Sequence, residues 1–461
     1  MNSLVVGTTR GLLGSIGRSG KRCSEAIDIP CDQQAFVVSF CGSGTGHMMQ
    51  ALTLTRVLQA SGMQLTGVIT DTDAAQNLLD EVIKPLEVPV LILPAITIVN
   101  AKGILPPHRV LGKAVVCMKG LRRENARIRA FLATSQCSLL INMWQISLGK
   151  FLQLNPLPPS VRVVHVAAQF AHLALKPSQV KGGFMAAAAK GTIDVMATIF
   201  KPSGVCVAIS GAASAASGAP ALAPIIDVPI SVAEQPPPSP LLLCYFLTMA
   251  PARRLERLLH KQPIPGVEVH CFTAEALTAP HGRSLSLHSH IKQRKLFQEL
   301  FARCTAVLCS TGNETIWEAV CRGVPVLTIP TAGHGEQILN ASVHARALPE
   351  SVRSRSTLSM ADLRWLVSFE HSDASRRESE VLRERCAALE KTGGLAPLLG
   401  SAHGHADGDA ATGTAALSRS SRSELAVTAA TTSVYPRRCS SINSRGAKVL
   451  LLEKEKPESH V

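Results

Sequence analysis

Residues 306–341 read AVLCSTGNETIWEAVCRGVPVLTIPTAGHGEQILNA, and this stretch decides the fold class. Two short apolar runs, 306–309 and 324–329, each lead into a polar loop and then into an amphipathic segment. Gly323 ends the first amphipathic segment just before the next apolar run begins. Parallel strands buried under helices produce this alternation, so the stretch predicts a doubly wound α/β domain.

The same alternation extends towards both ends of the chain. Further strands are expected at Phe36–Cys41, Leu65–Thr70, Val88–Leu93, Ser138–Met143, Val161–Val166, Leu241–Phe246 and Val267–Phe272. Helices are expected near His47–Ser61, Ala74–Lys84, Leu121–Thr134, Ala252–Leu259, Lys292–Ala302, Glu314–Cys321 and Glu336–Ala347. The sequence therefore predicts two parallel-sheet α/β domains.

Composition divides the chain into five segments. They are a disordered or targeting leader (1–35), a first Rossmann-like domain (36–202), an Ala/Gly/Pro-rich linker or insertion (203–240), a second Rossmann-like domain (241–394) and a disordered tail (395–461). The leader contains no acidic residue before Glu25, a composition typical of an organellar targeting peptide and also of a disordered extension.

Length and composition allow two globular domains and exclude a wholly disordered chain. The 461 residues are 46% apolar and only 4% aromatic, so Ala, Val, Leu and Ile must build the core. Thirteen cysteines include no CxxC pair and no zinc-type Cys/His spacing, which favours reduced, buried thiols and predicts no metal site. No run of eighteen apolar residues occurs, so no transmembrane helix is predicted.

The net charge of +14 lies mainly on the expected folded part. The first 35 residues contribute +1 and residues 395–461 contribute +2, which leaves +11 for residues 36–394. No RNA-binding signature accompanies this excess, so nucleic acid is not an expected partner. A phosphorylated substrate or an anionic membrane face fits the charge better.

A glycine-rich loop follows the first expected strand, in FVVSFCGSGTGH at residues 36–47. Backbone N–H groups of such a loop, at the start of a helix, favour a phosphate or another anion. His47, in the first helical turn, is either a neutral general base or only a cap of the turn. A dinucleotide fold would place a third glycine at position 47, although Asp71 is suitably placed to bind a ribose.

The loop after residue 309 offers the second candidate anion site. Ser310, Thr311 and Gly312 present hydroxyl and backbone N–H groups at a helix start. Glu314 and Glu318 are four residues apart and share one helix face. A carboxylate on this face either holds two adjacent ribose hydroxyls or belongs to a solvated acidic surface.

Taken together, the two blocks resemble glycosyltransferases with two Rossmann-like domains facing across a cleft, the GT-B architecture. The resemblance is to the family 28 type, which includes the bacterial lipid-linked N-acetylglucosaminyltransferase of peptidoglycan synthesis and plant monogalactosyldiacylglycerol synthases. Within that set, the chain resembles microbial glycosyltransferase-like proteins that have a G-x-G-x-G-H motif at the start and an E-Q-x-x-N-A motif at the end. It covers residues 36–200 loosely and 290–347 well.

The resemblance implies a role for each matching residue. His47 would lie near the reacting centre as the catalytic residue, with His334 and Gln169 at the cleft edges. The acceptor or phosphate loop would comprise Gly42, Gly44, Thr45 and Gly46. The donor-binding residues would be Thr311, Gly312, Asn313, Glu318, Glu336 and Gln337, with Glu318 on the ribose.

The activity implied is an inverting, metal-independent transfer of a hexose or N-acetylhexosamine from a UDP-sugar, with no further cofactor, to a lipid or glycan hydroxyl. Two departures from the family pattern keep alternatives open: Leu247–Ala252 replaces a glycine-rich diphosphate loop, and Ile141–Trp144 lacks an Asp. The alternatives are a noncatalytic nucleotide-sugar-binding subunit that needs a protein partner, and a sugar-nucleotide epimerase or hydrolase.

Five basic residues on the third expected helix provide a local concentration of charge. They are Lys119, Arg122, Arg123, Arg127 and Arg129. Such a cluster either contacts an anionic membrane surface or forms a solvated helix face. The expected location is accordingly the cytoplasm or the membrane periphery, with an organelle as the alternative if the leader is a targeting peptide.

Overall fold

The computed structural model describes residues 34–399 apart from residues 43–45, 75, 77–78, 96–98, 101–102, 105–106, 174, 176–186, 188–189, 192–193, 195–203, 212–220, 227–238, 278–286 and 292. The described residues belong to one compact unit. All but the last two residues of the expected leader, and all but the first five residues of the expected disordered tail, lie outside the described residues.

Short strands make up the two main sheets and one small antiparallel pair. The strands are β1 (Ala35–Phe40), β2 (Gln64–Asp71), β3 (Val90–Leu93), β4 (Val99–Asn100), β5 (Gly103–Ile104), β6 (Leu139–Met143), β7 (Arg162–Ala167), β8 (Val205–Ile209), β9 (Ala221–Leu222), β10 (Leu241–Tyr245), β11 (Glu268–Thr273), β12 (Leu287–Ile291), β13 (Ala306–Cys309), β14 (Val326–Thr328) and β15 (Val352–Ser354).

Helices connect most of these strands. They are α1 (Gly46–Ala60), α2 (Pro107–Ser135), α3 (Ile146–Leu154), α4 (Gln169–Leu173), α5 (Met249–Lys261), α6 (Arg294–Arg303), α7 (Glu314–Cys321), α8 (Gly335–Ala347), α9 (Met360–Val367), α10 (Asp373–Leu389) and α11 (Ala396–Leu399).

Both main sheets are parallel throughout and share one winding pattern. The first has the order β3-β2-β1-β6-β7-β8-β9, and the second has the order β12-β11-β10-β13-β14-β15. The winding direction reverses between β1 and β6 in the first sheet, and between β10 and β13 in the second. These findings confirm the predicted fold class of two parallel-sheet α/β domains.

The two sheets share a hydrophobic core. Phe36 of the first sheet and Leu243 of the second are both inaccessible to solvent and belong to the same cluster of buried side chains. The end of the described chain joins this cluster through Leu395 and Leu398. Arg162 Nη1, at the start of β7, also donates a hydrogen bond to the carbonyl of Leu399 at 2.9 Å. The last helices therefore pack against the first sheet.

Two segments with an irregular composition contain regular structure. Within the predicted linker or insertion at 203–240, β8 pairs in parallel with β7 and β9 pairs with β8. At the beginning of the predicted disordered tail, Ala396–Leu399 is helical. Apolar residues are few in these segments, but Val207, Ile209, Leu222, Leu395 and Leu398 are buried, whereas Val205 is 38% exposed.

The expected helix at Ala74–Lys84 is only partly formed in the described residues. A π-helical turn spans Leu79–Ile83 and a 3-10 turn spans Lys84–Leu86. Pro85 supplies no N–H for a helical hydrogen bond, and Glu87 then adopts a left-handed conformation with φ of 55°. These two residues end the helical path before β3.

The structure describes the side chains of nine cysteines, and seven of them are buried. Burial raises the pKa of Cys309 to about 12, so this thiol is not ionised near neutral pH. Among the described helices, none combines the length and the apolar character needed to cross a bilayer.

Candidate functional site

The sequence motifs lie where the two sheets reverse their winding direction. In the first sheet, β1 leads into α1, which begins at Gly46. In the second sheet, β13 leads into α7, which begins at Glu314. Ligands of open α/β sheets bind outside the carboxyl ends of the strands at such reversal points. Both sheets therefore provide a ligand-binding edge, and each carries one of the predicted motifs.

Asp71, at the end of β2, holds the glycine-rich loop in place. Its Oδ2 accepts hydrogen bonds from the backbone N–H of Gly42 at 3.1 Å and from Gln145 Nε2 at 3.4 Å. Its Oδ1 accepts one from the backbone N–H of Asp73 at 3.0 Å. Burial raises the pKa of this carboxyl, and these backbone contacts oppose the effect. Asp71 is thus occupied within the protein, which disfavours its role as the ribose ligand of a dinucleotide fold.

We expect Gly42→Ala to destabilise the protein by about 1–3 kcal/mol, the usual cost of overpacking. A methyl group at this position would overlap Ala74 N and would lie 2.8 Å from Ala74 Cα, so backbone would have to move. Gly112→Ala is the matched control because a methyl group there meets nothing within 4 Å. Urea unfolding should show this control to be neutral or stabilised. Equal stabilities of the two variants would contradict the close approach.

Gly46 lies at a direct contact between α1, which follows the first sheet's β1, and α7, which follows the second sheet's β13. A methyl group on Gly46 would overlap the Glu314 carboxylate and would lie 2.6 Å from its Oε1. The carboxylate of α7 therefore rests against the amino-terminal turn of α1, where the helix dipole favours a negative charge. Only glycine permits this approach. The predicted loop residues Gly44 and Thr45 lie outside the described residues.

His47 is the second residue of α1 and is half-buried. Burial lowers the pKa of its imidazole to about 4, because removal of water disfavours the charged ring. At neutral pH the ring is uncharged and one of its nitrogens has a free lone pair. Its position beside the Gly46–Glu314 contact places a potential proton acceptor where the two sheets meet.

Asn142, near the end of β6, organises the strand ends beneath this loop. Its Oδ1 accepts hydrogen bonds from Ser39 Oγ at 3.0 Å and from the backbone N–H of Gln145 at 2.9 Å. Its Nδ2 lies 3.1 Å from His165 Nδ1 on β7. This buried network links the carboxyl ends of three neighbouring strands. The position that lacks an Asp relative to the family pattern therefore has a structural role in this chain.

The carboxylates of Glu314, Glu318 and Glu336 influence one another near the Gly46–Glu314 contact. Burial, followed by the charges of Glu318 and Glu336, raises the pKa of Glu314 to about 8. Burial also raises the pKa of Glu336 to about 7, although Gln169 Nε2 donates a hydrogen bond to its Oε1 at 2.8 Å. This hydrogen bond links α4 of the first sheet to α8 of the second. Gln169 and Glu336 are thus in contact, and the charge of Glu318 acts on Glu314.

Other predicted donor residues are engaged with protein groups. Thr311 is fully buried, and its carbonyl accepts a hydrogen bond from Asn340 Nδ2 at 3.1 Å. Asn313 Oδ1 lies 3.0 Å from His344 Nε2, while Gly312 is exposed. These contacts shape the loop between β13 and α7 and leave Gly312 as its accessible point.

A hydrogen bond within the protein also holds the loop before α8. Gln337 Oε1 accepts a hydrogen bond from the backbone N–H of Thr331 at 2.8 Å. His334, the residue before the helix, is half-buried, and burial lowers its pKa. Gln337 therefore fixes the loop from within through its oxygen, a role that its sequence position did not reveal.

Several buried polar atoms in this region have no regular hydrogen bond. Six of the ten such side-chain atoms in the described part of the chain lie in residues 169–172 and 311–340. They are Gln169 Oε1, His172 Nδ1, Thr311 Oγ1, Thr328 Oγ1, Thr331 Oγ1 and Asn340 Oδ1. Buried polar atoms are normally satisfied by protein, water or ligand. Their concentration here indicates a region suited to a polar ligand or ordered water. Asn340 belongs to the E-Q-x-x-N-A motif, whereas no sequence motif had indicated His172.

Solved glycosyltransferase structures match this chain over most of its length. A complex of Arabidopsis thaliana UGT89C1 with quercetin aligns with a TM-score of 0.56 at 15% identity, covering 79% of this chain and 97% of that one. The complex of the same enzyme with UDP-L-rhamnose gives 0.55 at 17% identity, covering 79% and 98%. The glycotransferase of kitacinnamycin gives 0.51 at 13% identity, covering 77% and 95%.

The chain has the GT-B fold. No family model and no curated protein sequence matches it. At this level of identity the likeness concerns the fold, and the site has to be argued from the residues themselves. In this GT-B chain α1 contacts α7 through Gly46 and Glu314, and α4 contacts α8 through Gln169 and Glu336.

Proposed function

We propose that this chain is a glycosyltransferase that moves a hexose or N-acetylhexosamine from a UDP-sugar to a hydroxyl of a lipid or glycan. The observation that carries the proposal is the contact of Gly46, the neighbour of His47, with the Glu314 carboxylate, on which Glu318 and Glu336 also act, at the reversal points of a GT-B fold. A proton acceptor and several hydroxyl-binding groups are the elements that sugar transfer requires. The family 28 resemblance of residues 290–347 supports the donor class.

The donor would bind along the second sheet. Glu318 would hold the ribose hydroxyls and Glu336 the sugar hydroxyls, because carboxylates accept hydrogen bonds from hydroxyl groups. The exposed backbone of Gly312 would approach the diphosphate at the amino end of α7. The positive ends of α7 and α8 would stabilise the departing nucleotide diphosphate, so that the proposed transfer requires no metal ion or other cofactor.

The acceptor would bind along the first sheet, beside His47. As its hydroxyl oxygen attacks the anomeric carbon, the proton passes to the imidazole and the bond to the diphosphate oxygen breaks on the opposite face. The configuration at the anomeric carbon is therefore inverted. The negative diphosphate would raise the pKa of His47 when the donor binds, because an opposite charge favours the imidazolium.

The exposed basic face of α2 supports a lipid acceptor. Lys119, Arg122, Arg123, Arg127 and Arg129 are all exposed. Arg127 is paired with Glu124 at 2.6 Å, which leaves a net positive surface. Basic residues near an anionic bilayer contribute about 1 kcal/mol each, so this face would hold the protein at the membrane periphery.

One observation favours a second candidate function, a noncatalytic nucleotide-sugar-binding subunit. The segment that replaces the glycine-rich diphosphate loop begins at Leu247, whose backbone N–H already donates to Ser310 Oγ at 2.9 Å. This N–H is therefore not available to a phosphate. A partner protein would then supply the missing catalytic element.

We expect a UDP-sugar to stabilise the purified chain, and GDP- and dTDP-sugars to do so less. A ligand at about 100 times its dissociation constant adds roughly 2.7 kcal/mol of stability, which a thermal-shift assay detects readily. Glu318→Ala should abolish the shift, whereas Glu380→Ala, on the exposed face of α10, should retain it. No shift with any nucleotide sugar would contradict the proposal.

A product assay separates the functions that share this binding site. Transfer of labelled sugar to a lipid or glycan acceptor supports the glycosyltransferase. Binding without turnover on any acceptor supports the noncatalytic subunit. Release of free sugar or of an epimer without an acceptor would instead identify a hydrolase or an epimerase.

A further inference from the structure

A cluster of histidines lies on the edge of the second sheet, away from the proposed transfer site. Glu268 and His270 are two residues apart on β11 and share one face of the strand. His288 on β12 is the direct register partner of His270, so that it lies on the same face. Glu268 begins its strand, whereas the loops of the transfer site leave the carboxyl ends of theirs.

The side chains of this cluster converge on one point. Glu268 Oε1 lies 2.6 Å from His270 Nε2 and 3.9 Å from His288 Nε2. One ligand atom from each of the three residues lies within 4.8 Å of the others. Ligands of a tetrahedral zinc ion, bound at about 2.0–2.2 Å, are about 3.3 Å apart, so small side-chain rotations suffice to accommodate an ion.

We propose that Glu268, His270 and His288 bind a divalent transition-metal ion of the zinc type. Two imidazoles and one carboxylate are ligands that Zn²⁺ accepts, and a water molecule would complete the tetrahedron. The ion would join the edge strand β12 to β11 and thereby fasten one border of the second sheet.

A fourth residue, His290, contacts one of the proposed ligands and supports this assignment. His270 Nδ1 lies 2.9 Å from His290 Nε2, and the two rings are stacked 5.1 Å apart. When His270 Nε2 binds the ion, its Nδ1 retains the proton and donates it to His290. Metal-binding histidines commonly have such a partner, which fixes the tautomer and the ring orientation.

Burial and charge in the cluster suit metal binding. The His270 side chain is 9% exposed and rigidly placed, while those of Glu268 and His288 are 38% and 53% exposed and open an entry path. Arg303, at the end of α6, is the cationic group that acts on Glu268 and His270.

The test uses the full chain without an affinity tag, stripped of metal by a chelator and titrated with ZnCl₂ against a chromophoric chelator. We expect His288→Ala and Glu268→Gln each to bind one equivalent fewer than the unmodified chain. His290→Phe should retain that equivalent with about 10- to 100-fold weaker affinity, as expected for loss of a supporting partner. His260→Ala, an exposed histidine on α5, should bind like the unmodified chain.

Circular dichroism verifies that each variant is folded before the titration. Equal stoichiometry and affinity in the unmodified chain and in both ligand variants would overturn the proposal. A loss in His260→Ala as large as that in His288→Ala would also overturn it, because binding would then depend on surface histidines in general. Loss confined to the ligand variants supports the site.

Discussion

His47→Ala should lower the turnover of sugar transfer by about 10²–10⁴-fold, the usual contribution of a general base. The imidazole is half-buried on the first turn of α1, where burial holds its pKa at about 4, and it is therefore unprotonated at neutral pH before the donor binds. Donor binding should persist, since the predicted donor residues belong to the second sheet. Initial-rate kinetics together with a donor-binding assay measure both quantities.

Two further measurements make this prediction specific. His371→Ala, an exposed histidine before α10, should leave turnover unchanged. The pH profile of kcat/KM should fall on the acidic side with a midpoint near 4 in the unmodified chain, because this quantity reports the free enzyme. His47→Ala should abolish that step. Unchanged turnover in His47→Ala would refute the role of this residue.

Glu314→Gln should stabilise the protein at alkaline pH and have little effect at acidic pH. The carboxyl has a pKa of about 8 in the folded chain, against 4.5 when exposed, because burial and two neighbouring carboxylates disfavour its charge. Its favourable contribution to folding is therefore complete below about pH 4.5 and is lost as the pH rises through 8. Glutamine resembles the protonated form and does not titrate.

At pH 9 the free energy of unfolding of Glu314→Gln should exceed that of the unmodified chain by about 2–4 kcal/mol. This is less than the whole pKa change would give, because Glu314 is partly exposed. The amino end of α1 also offsets part of the penalty. Urea unfolding of both proteins at pH 4.5 and pH 9 measures it. Glu380→Gln, on the exposed face of α10, is the control and should show no such pH dependence. Parallel stability curves for Glu314→Gln and the unmodified chain would contradict the burial of this carboxylate.

The parallel-sheet fold could be predicted because its central strands are continuous apolar runs. β6, with all five residues buried, is an example. The edge strand β3 was expected at Val88–Leu93, but the edge strands β9, β12 and β15 escaped prediction because they lack such runs. β12 has the sequence LHSHI, whose polar side chains are acceptable only at the border of a sheet. β8 and β9 were hidden because they lie in a segment dominated by Ala, Gly, Ser and Pro.

For the site, the sequence placed the motifs on the correct loops but did not show which atoms face each other. The contact of Gly46 with Glu314 joins residues from different sheets, and no local pattern encodes it. Asp71 and Gln337 have plausible ligand chemistry, yet both serve as internal hydrogen-bond partners. The roles of His47 and of the donor residues remain predictions that the experiments above address.

The contacts of the last helices have a consequence for protein synthesis. Arg162 and the carbonyl of Leu399, which it contacts, are 237 residues apart. Arg385 of α10 likewise donates to the carbonyl of Gly211, beyond β8. At about 5–20 residues per second, the first sheet therefore waits on the order of 10–50 s on the ribosome before its final contacts form. During that interval the nascent chain exposes an unfinished sheet, so the rate of translation and the supply of chaperones should influence the yield of folded protein.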